Sequence, residues 1–566
     1  MTEFPRPVRR SRRATGAAVV LALLAPLLAA CGGIPYSGDV VTGSEVSQQD
    51  PGGTEYIVEG PAEGATAEEI LRGFIAAFKS SGDYDVARQF LSSSFLDDWD
   101  PRESVLVHNG GSSIVPVSDT ALDYVVTSAT ASVDSAGTYR QFAPAPATLH
   151  YEFVQEDGEW RISAAPGGIV LSQSSFENVF SENVLYFLDT GGAALVPDLR
   201  WFPAGTGVAT RVVSALLAGP PPWLQGAATS SFPAGTQLSS PKRVAIDGTT
   251  AYVDLTSEAL EASPLQRQRM RLQIESSLGL ITSTVISVDG TELSIPDPGP
   301  GLPQPQLPVD NRPLILHDGS FGYYANGQIS LIDGLSEQVA ALAPDAATLA
   351  SGGSAIAVLN AEGVWVVRRE GDPALLDARA GLIAPTLDIY GYTWSVPAGS
   401  PTALRAFAFD GTAYDVTTAL PPDARVAAIE VSRDGARLAI LLATPAGPRL
   451  MVSAIMRDVN ASNAPLGLGV PVVDASLDSG TAVDLAWMDE TTVVTLSESG
   501  DDTLVLAHQV GGRRESLGSP DSGVQIVGGN GETGLRVLGE DGVVAARRPS
   551  GWQTTQITAE FIATQR

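Results

Sequence analysis

The sequence predicts a multidomain chain in which an α+β unit and an α/β unit precede an all-β C-terminal half. Three observations predict it. Thr66-Ala67-Glu68-Glu69 opens a pair of short helices that lead into alternating, strand-like runs. The next segment, up to about residue 295, interleaves strands with two helices. From Arg312 onward, short strand-like runs and Asp- or Gly-bearing turns recur about every 45 residues.

The N-terminus sets the compartment. Arg6, Arg9, Arg10, Arg12 and Arg13 precede an apolar run from Ala14 to Ala30, broken only by Pro26, and the run closes on Leu28-Ala29-Ala30-Cys31. That is the pattern of a signal peptide (1–30) ending in a bacterial lipidation site. Cys31 would carry a diacylglycerol on sulfur and an acyl group on its new amine. An uncleaved anchor or an ordinary secretory signal is the alternative, but neither has a use for a cysteine at that spot. Cys31 is the single cysteine of the chain, so no internal disulfide can form. Two acyl chains hold a protein on a bilayer where one is marginal.

Composition fits a folded, acidic body outside the cytoplasm. The net charge is −30, and the signal takes five arginines and one acid with it, leaving the mature chain more acidic still. Such a charge disfavours nucleic acid and anionic headgroups as ligands and keeps the body soluble. Only Lys79 and Lys242 are lysines. Residues 31–60 are rich in Gly, Ser, Pro, Gln and acids, and read as a tether with a root-mean-square reach of about 30 Å.

The first folded unit, 61–169, begins with a helix whose Ile70, Phe74 and Phe78 share a face. Gly82-Asp83 separates a second short helix burying Val86 and Phe90, and Trp99 closes the core. Strands follow at 124–133, 147–155 and 159–163, with Asp157-Gly158 as a hairpin turn. This order resembles the cone-shaped NTF2-like fold. No His-Asp pair stands at a plausible spacing, so its aromatics read as packing.

In the second unit, 170–295, strands at 184–188 and 194–197 precede a helix carrying Val212, Val213, Leu216 and Leu217, stopped by Gly219-Pro220. A strand pair turns at Asp247-Gly248, a helix places Met270, Ile274 and Leu278 on one face, and a strand ends at Asp289-Gly290. Leu185-Tyr186-Phe187, Leu216-Leu217-Ala218-Gly219-Pro220, Phe232-Pro233-Ala234-Gly235-Thr236, Val253-Asp254-Leu255 and Val288-Asp289-Gly290 stand in the order of a GerMN domain, which this unit resembles. Asp254 reads as a strand-end residue, because no second catalytic group accompanies it.

Seven prolines between Pro296 and Pro313 form a connector that should be extended and stiff, dividing the chain in two. Beyond it, Ala343–Ala350 aligns without a gap on Ser432–Ala439, 89 positions later. Placing Asp345, Asp388, Asp434, Asp489 and Asn530 in one frame gives intervals of 43, 46, 55 and 41 residues. Such a period signals a β-propeller over 314–566, of about six blades, with Asp and Gly as turn formers and Trp365, Trp394, Trp487 and Trp552 packed between blades.

The lipidation motif, the NTF2-like unit, the GerMN unit and the propeller, in that order, resemble the lipoprotein LpqB family of actinobacteria over nearly the whole mature chain. Cys31-Gly32-Gly33-Ile34-Pro35 also looks like that family's mature start. The resemblance implies an extracytoplasmic accessory of the MtrAB two-component system that binds the sensor kinase MtrB and influences cell-wall metabolism and division. It carries over no partner-contact residue.

An enzyme is not expected. The sequence holds no Gly-x-Ser-x-Gly, His-Glu-x-x-His or phosphate loop, and His108, His150, His317 and His508 stand alone, each read as a surface or core histidine rather than a ligand. Asp97-Asp98-Trp99-Asp100 and Asp501-Asp502 read as solvated acidic faces rather than as a glycosidase pair or a Ca²⁺ site. No catalytic residue, metal or cofactor is expected beyond the lipid on Cys31. The alternative function is a receptor for a cell-wall glycan or small ligand at the propeller mouth.

Overall fold

The computed structural model describes Met1 and residues 58–80, 84–299, 301–303, 309–477, 480–500 and 502–566. The signal peptide, Cys31, most of the tether and the Gly82-Asp83 break lie outside the described residues. Those from 58 onward belong to one compact unit.

The helix Ala67–Ala77 starts where its capping box requires. Thr66 Oγ1 accepts from the Glu69 amide at 3.3 Å, while the Glu69 carboxylate takes the Thr66 amide at 2.8 Å. It buries Ile70, Leu71 and Phe74 against a sheet whose strand order is Glu159–Ala164, Tyr139–Glu156, Ala121–Asp134, Ser104–His108 and Ile169–Ser172. Trp99 is 2% exposed and lies 5.0 Å from Phe74 and 6.0 Å from Phe78, ring to ring. Asp157 (φ 51°) and Gly158 (φ 85°) make the tight hairpin turn expected of them.

Two features differ from the sequence reading. The strand Tyr139–Glu156 starts well before residue 147, and Ser104–His108 and Ser112–Ser118 are strands that went unread. For Ser112–Ser118 and the early part of Tyr139–Glu156 the physical reason is exposure, whereas Ser104–His108 is mostly buried. Most side chains of 140–146 and 112–118 face solvent and include Pro116, Pro144 and Pro146, so no apolar alternation marks them. The first core also runs past residue 169, taking in Phe176, Phe180 and Trp201.

In the second unit, strand Phe180–Asp189 pairs with Leu195–Pro203 and with Ala228–Thr229, while Thr250–Leu255 runs parallel to Ser283–Val288. The helices Val208–Ala218 and Pro264–Leu278 sit where the sequence places them; the first ends at Gly219 (φ 86°), and Ser263 caps the second. Val212, Val213, Leu216, Met270 and Ile274 form the core with Ala251, Val253, Leu255 and Ile286.

The C-terminal half is built of short antiparallel groups. Among the described residues they open with the strands Ala346–Leu349, Thr386–Leu387, Arg425–Val431, Thr481–Trp487 and Gly523–Val527. In a further group the late strand Phe561–Gln565 pairs with Leu314–His317, so the last strand of the chain completes the first group and closes the array. Apolar clusters fill the spaces between groups; Trp394 and Trp487 are buried in them, and Trp365 and Trp552 pack at their edges.

Asp388, Asp434, Asp489 and Asn530 all fall in the turn after a leading strand. Asp345 does not. It precedes the leading strand Ala346–Leu349, its amide bonded to Leu359, and the equivalent turn is Ala350–Ser354. The hydrogen bonds prove the frame: Ala350 N to Ala355 O and Gly353 N to Ala350 O repeat as Ser432 N to Arg437 O and Gly435 N to Ser432 O. Here Gly352 and Gly353 (φ 70° and 65°) do the work of Asp-Gly, which hid the turn from an Asp-based alignment.

The connector does not keep two halves apart. Ala436 and Ala454 of the propeller belong to the second unit's core. Arg269 donates to Gly301 O at 2.8 Å and Gln268 to Asp297 O, which pins the connector along the helix Pro264–Leu278. Proline content sets local stiffness only; whether flanking surfaces pack depends on side chains distant in sequence.

Candidate functional site

Two places gather polar side chains inside the molecule: the propeller axis and the junction of the three units. At the axis, the leading strands are laced in a closed circuit. Thr348 Oγ1 donates to Pro385 O (2.8 Å), Thr386 Oγ1 accepts from Val431 N (3.3 Å), and Glu430 from Trp487 N (3.0 Å). Asp484 accepts from Ile526 N (2.9 Å), Gln525 from Ile562 N (2.9 Å), and Arg566 N returns to Leu349 O (3.0 Å). Each bond joins one leading strand to the next. In four of the six bonds a side chain supplies the acceptor in place of a backbone carbonyl.

This circuit carries charge. Arg566 meets Glu430 at 2.9 Å, with side chains 4% and 7% exposed, and donates to Thr386 at 2.6 Å. Burial pushes the Glu430 carboxyl up, opposed by Arg566, and burial pushes the Arg566 guanidinium down. Asp484 has no cation beside it in these bonds; burial pushes it up to about 7, against the pull of the Ile526 and Leu485 amides. The sequence reading missed these residues. Their signal was weak: one or two polar residues within or beside each otherwise apolar leading strand.

The turn aspartates are structural, as expected. Asp388 accepts from the Tyr390 and Tyr392 amides (3.0 and 2.9 Å), from Trp394 Nε1 (3.0 Å) and from Arg457 (2.7 Å). Asp434 holds the Ala436 amide at 2.8 Å and pairs with Arg437.

At the junction, Trp201 serves all three units. It stands on the strand Leu195–Pro203, packs in the first core 5.0 Å from Phe176, and donates through Nε1 to Gly511 O of the propeller at 3.0 Å. Its neighbour Arg200, paired with buried Asp198 at 2.6 Å, reaches Ala136 O of the first unit at 2.6 Å. Along the strand Phe180–Asp189, Glu182 takes Gln509 (2.8 Å), Tyr186 donates to Glu490, and Asp189 accepts from Tyr390. Burial pushes the Asp189 carboxyl up, although three backbone amides pull it down.

Asp254 sits at its strand end, accepting from Ser287 Oγ (2.7 Å) and Gly290 N (2.9 Å). One expectation about histidine fails. His150 is not alone, since its Nδ1 lies 2.7 Å from Asp123 across the strand pair that sets Asp123 opposite His150. A spacing of 27 residues concealed a cross-strand neighbour. The pair lies on the sheet's outer face with the His150 side chain 50% exposed, and the structure brings no nucleophile to it among the bonds described. His317 Nε2 lies 3.4 Å from its neighbour Asp318, His508 Nε2 lies 3.1 Å from Thr495 Oγ1, and burial pushes His508 down to about 3. Among the described residues, no three His, Cys, Asp or Glu side chains are placed to share a metal ion. No described helix is long and apolar enough to cross a membrane.

An N-terminal α+β unit, a GerMN-like unit and a β-rich propeller-like half, packed as one body, define a multidomain protein. Residues 60–177 match the model of the lipoprotein LpqB N-terminal domain, 184–294 that of the Germane domain of sporulation and spore germination, and 319–560 that of the lipoprotein LpqB beta-propeller domain. The chain belongs to the lipoprotein LpqB family. Lipoprotein LpqB of Cutibacterium acnes is 30% identical over 298 residues, 51% of this chain and 49% of that protein. Lipoprotein LpqB of Streptomyces coelicolor is 26% identical over 519 residues, 81% of both. The chain thus spans about half the length of the first of these relatives and most of the second. Among solved structures, the first GerMN domain of the Bacillus subtilis sporulation protein GerM is 21% identical, covering 22% of this chain and 94% of that one, with a TM-score of 0.18. The relatives are described as a lipoprotein and not by a reaction.

Proposed function

We propose that this chain is a lipid-anchored extracytoplasmic accessory of a two-component system that docks on the sensor kinase's extracytoplasmic domain. The family resemblance points to the kinase MtrB of the MtrAB system, and through it to cell-wall metabolism and division. Cys31 supplies the anchor, with a diacylglycerol on sulfur and an acyl group on the amine.

The observation that carries this reading is the junction at Trp201, which joins three interaction modules into one body. The second unit covers turns of the propeller at 390, 490 and 509–513, while turns at the opposite strand ends, such as Asp318-Gly319, Ala361-Glu362 and Glu540-Asp541, face solvent or lie near it. The axis is filled by the side chains that lace it. Such a body suits presentation of a broad, acidic protein surface better than enclosure of a small ligand.

Purified residues 58–566 are expected to bind the kinase's extracytoplasmic domain, more weakly at high salt where the kinase face is basic, and to change autophosphorylation in reconstituted membranes. Cys31→Ala protein, as the control for anchoring, should leave the detergent phase on partitioning. No binding and no change in phosphorylation, together with saturable binding of a cell-wall glycan fragment to the propeller, would replace this reading with the receptor.

A further inference from the structure

The first unit leaves one sheet edge open, and the backbone shows which groups that edge offers. The strand Ser112–Ser118 pairs with Ala121–Asp134 on one side and with no described strand on the other. Two hydrogen bonds fix which way each of its residues points. Thr127 N donates to Gly111 O at 3.0 Å on this side of Ala121–Asp134, while Phe153 N donates to Thr120 O at 2.8 Å from the opposite side. Bonding direction alternates along a strand, so the odd-numbered residues from 121 to 127 aim their N–H and C=O at Ser112–Ser118. Their partners Ser113 and Val115 point inwards, and Ser112, Ile114 and Pro116 point outwards.

Pro116, which has no N–H to give a ladder, falls on the outward side, where a proline in a strand belongs. The N–H groups of Ser112 and Ile114 and the C=O groups of Ser112, Ile114 and Pro116 make up the rest of that edge. Among the described residues, none of them is bonded within the chain. Val115 and Val117 are 45% and 55% exposed beside it. The chain carries a net charge of −30, yet no residue from Asn109 to Ser118 is charged. An open edge is a template for another strand unless something guards it, and charged side chains are the usual guard. This edge has a proline and a register shift near its end but no charge.

We propose that two copies of the chain pair through this edge, Ser112–Ser118 against itself, antiparallel about a two-fold axis at Ile114. Charge selects the second copy as the occupant. Two bodies of −30 repel where their acidic surfaces meet, so a contact between them needs an uncharged strip on both, and each copy supplies the same one. Register agrees. About that axis the two Ile114 residues exchange N–H and C=O, and Ser112 N–H meets Pro116 C=O on either side. Every outward donor is then used, and the missing N–H of Pro116 leaves only the Ser112 carbonyl without one. Val115 of one copy stands opposite Ser113 of the other. This inference does not rest on the kinase reading.

The full chain carrying Cys31→Ala, kept in detergent so that anchoring does not enter, holds no cysteine and tests the pairing. Its mass in sedimentation should double as concentration rises. Val115→Lys, at an exposed position, brings a charge into the strip from each copy and should raise the dissociation constant about tenfold. Ile114→Cys sets two thiols at the axis, where facing Cα atoms are about 5.5 Å apart and within disulfide reach. Mild oxidation should therefore link it into a covalent dimer, and should not link Val154→Cys, which is 39% exposed on the strand Tyr139–Glu156. A parent that stays monomeric at every concentration overturns the proposal, and that includes an edge that serves a strand of some other protein. So does a dimer that Val115→Lys leaves as tight as before, or oxidation that links Val154→Cys as readily as Ile114→Cys. Should Val115→Lys fail to fold, the two cysteine variants decide.

Discussion

The first unit and the propeller axis solve the same problem with opposite chemistry. In the first unit, Phe74, Phe78, Phe90, Trp99, Tyr151 and Phe153 fill one space, and nearly everything buried is apolar. At the axis, leading strands are held by Thr386, Glu430, Asp484 and Gln525, each accepting from the next strand's backbone, and by Arg566, which reaches Thr386 and Glu430. The aromatic core gains from area removed from water and is indifferent to pH. The polar circuit gains from avoiding unpaired buried groups, and its strength follows protonation.

The largest break is expected in the aromatic core. Trp99→Ala removes a ring that meets Phe74, Phe78 and Tyr84, and should cost about 3–5 kcal/mol, unfolding the first unit in denaturant well before the propeller. Merged transitions with an unchanged midpoint would show that the ring's neighbours close over the gap.

A smaller, pH-dependent effect is expected at the axis. The Asp484 carboxyl is raised to about 7, so folding favours its protonated form. Its contribution is fully present below the ordinary carboxylate range and is lost as pH rises towards 7. Asp484→Asn, which can still accept from Ile526, should therefore gain on the parent by about 1–3 kcal/mol between pH 4 and pH 8. Unfolding of both proteins across that range measures the difference, and a flat difference would place the charge in solvent. Trp99→Ala should show no such slope relative to its parent.

The smallest effect sharpens the comparison from the helix side. Thr66→Ala removes the side-chain cap of Ala67–Ala77 and should cost about 1 kcal/mol, seen as a lower midpoint for the first unit alone. An equal shift in the propeller transition would show that the two regions unfold together through the Trp201 junction.

Much of the local structure was legible in the chain. The Thr66 cap, the stop at Gly219, the hairpin at Asp157-Gly158 and the turns at Asp388 and Asp434 follow from residues within a few positions of one another. Such signals survive because caps and tight turns are satisfied by neighbours in sequence. The period of the C-terminal half was legible too, and it failed only where Gly352-Gly353 replaced Asp-Gly and drew Asp345 into the wrong place.

The site was harder to read. Asp123 and His150 meet across strands 27 residues apart, and Trp201 meets Gly511 across 310. The exposed strand Ser112–Ser118 carried no alternation because it has little to bury. By itself, then, the sequence determined the order of units, their caps and turns, and the repeat, since these depend on local dihedral preference and on burial that repeats at short range. Only the tertiary structure decided that the proline-rich connector is pinned down, that Arg566 closes a circuit with Glu430 and Thr386, and that Trp201 joins three units. Those contacts pair groups from about thirty to over three hundred residues apart, and which of many polar residues must be satisfied is set by where the backbone leaves a donor without a partner.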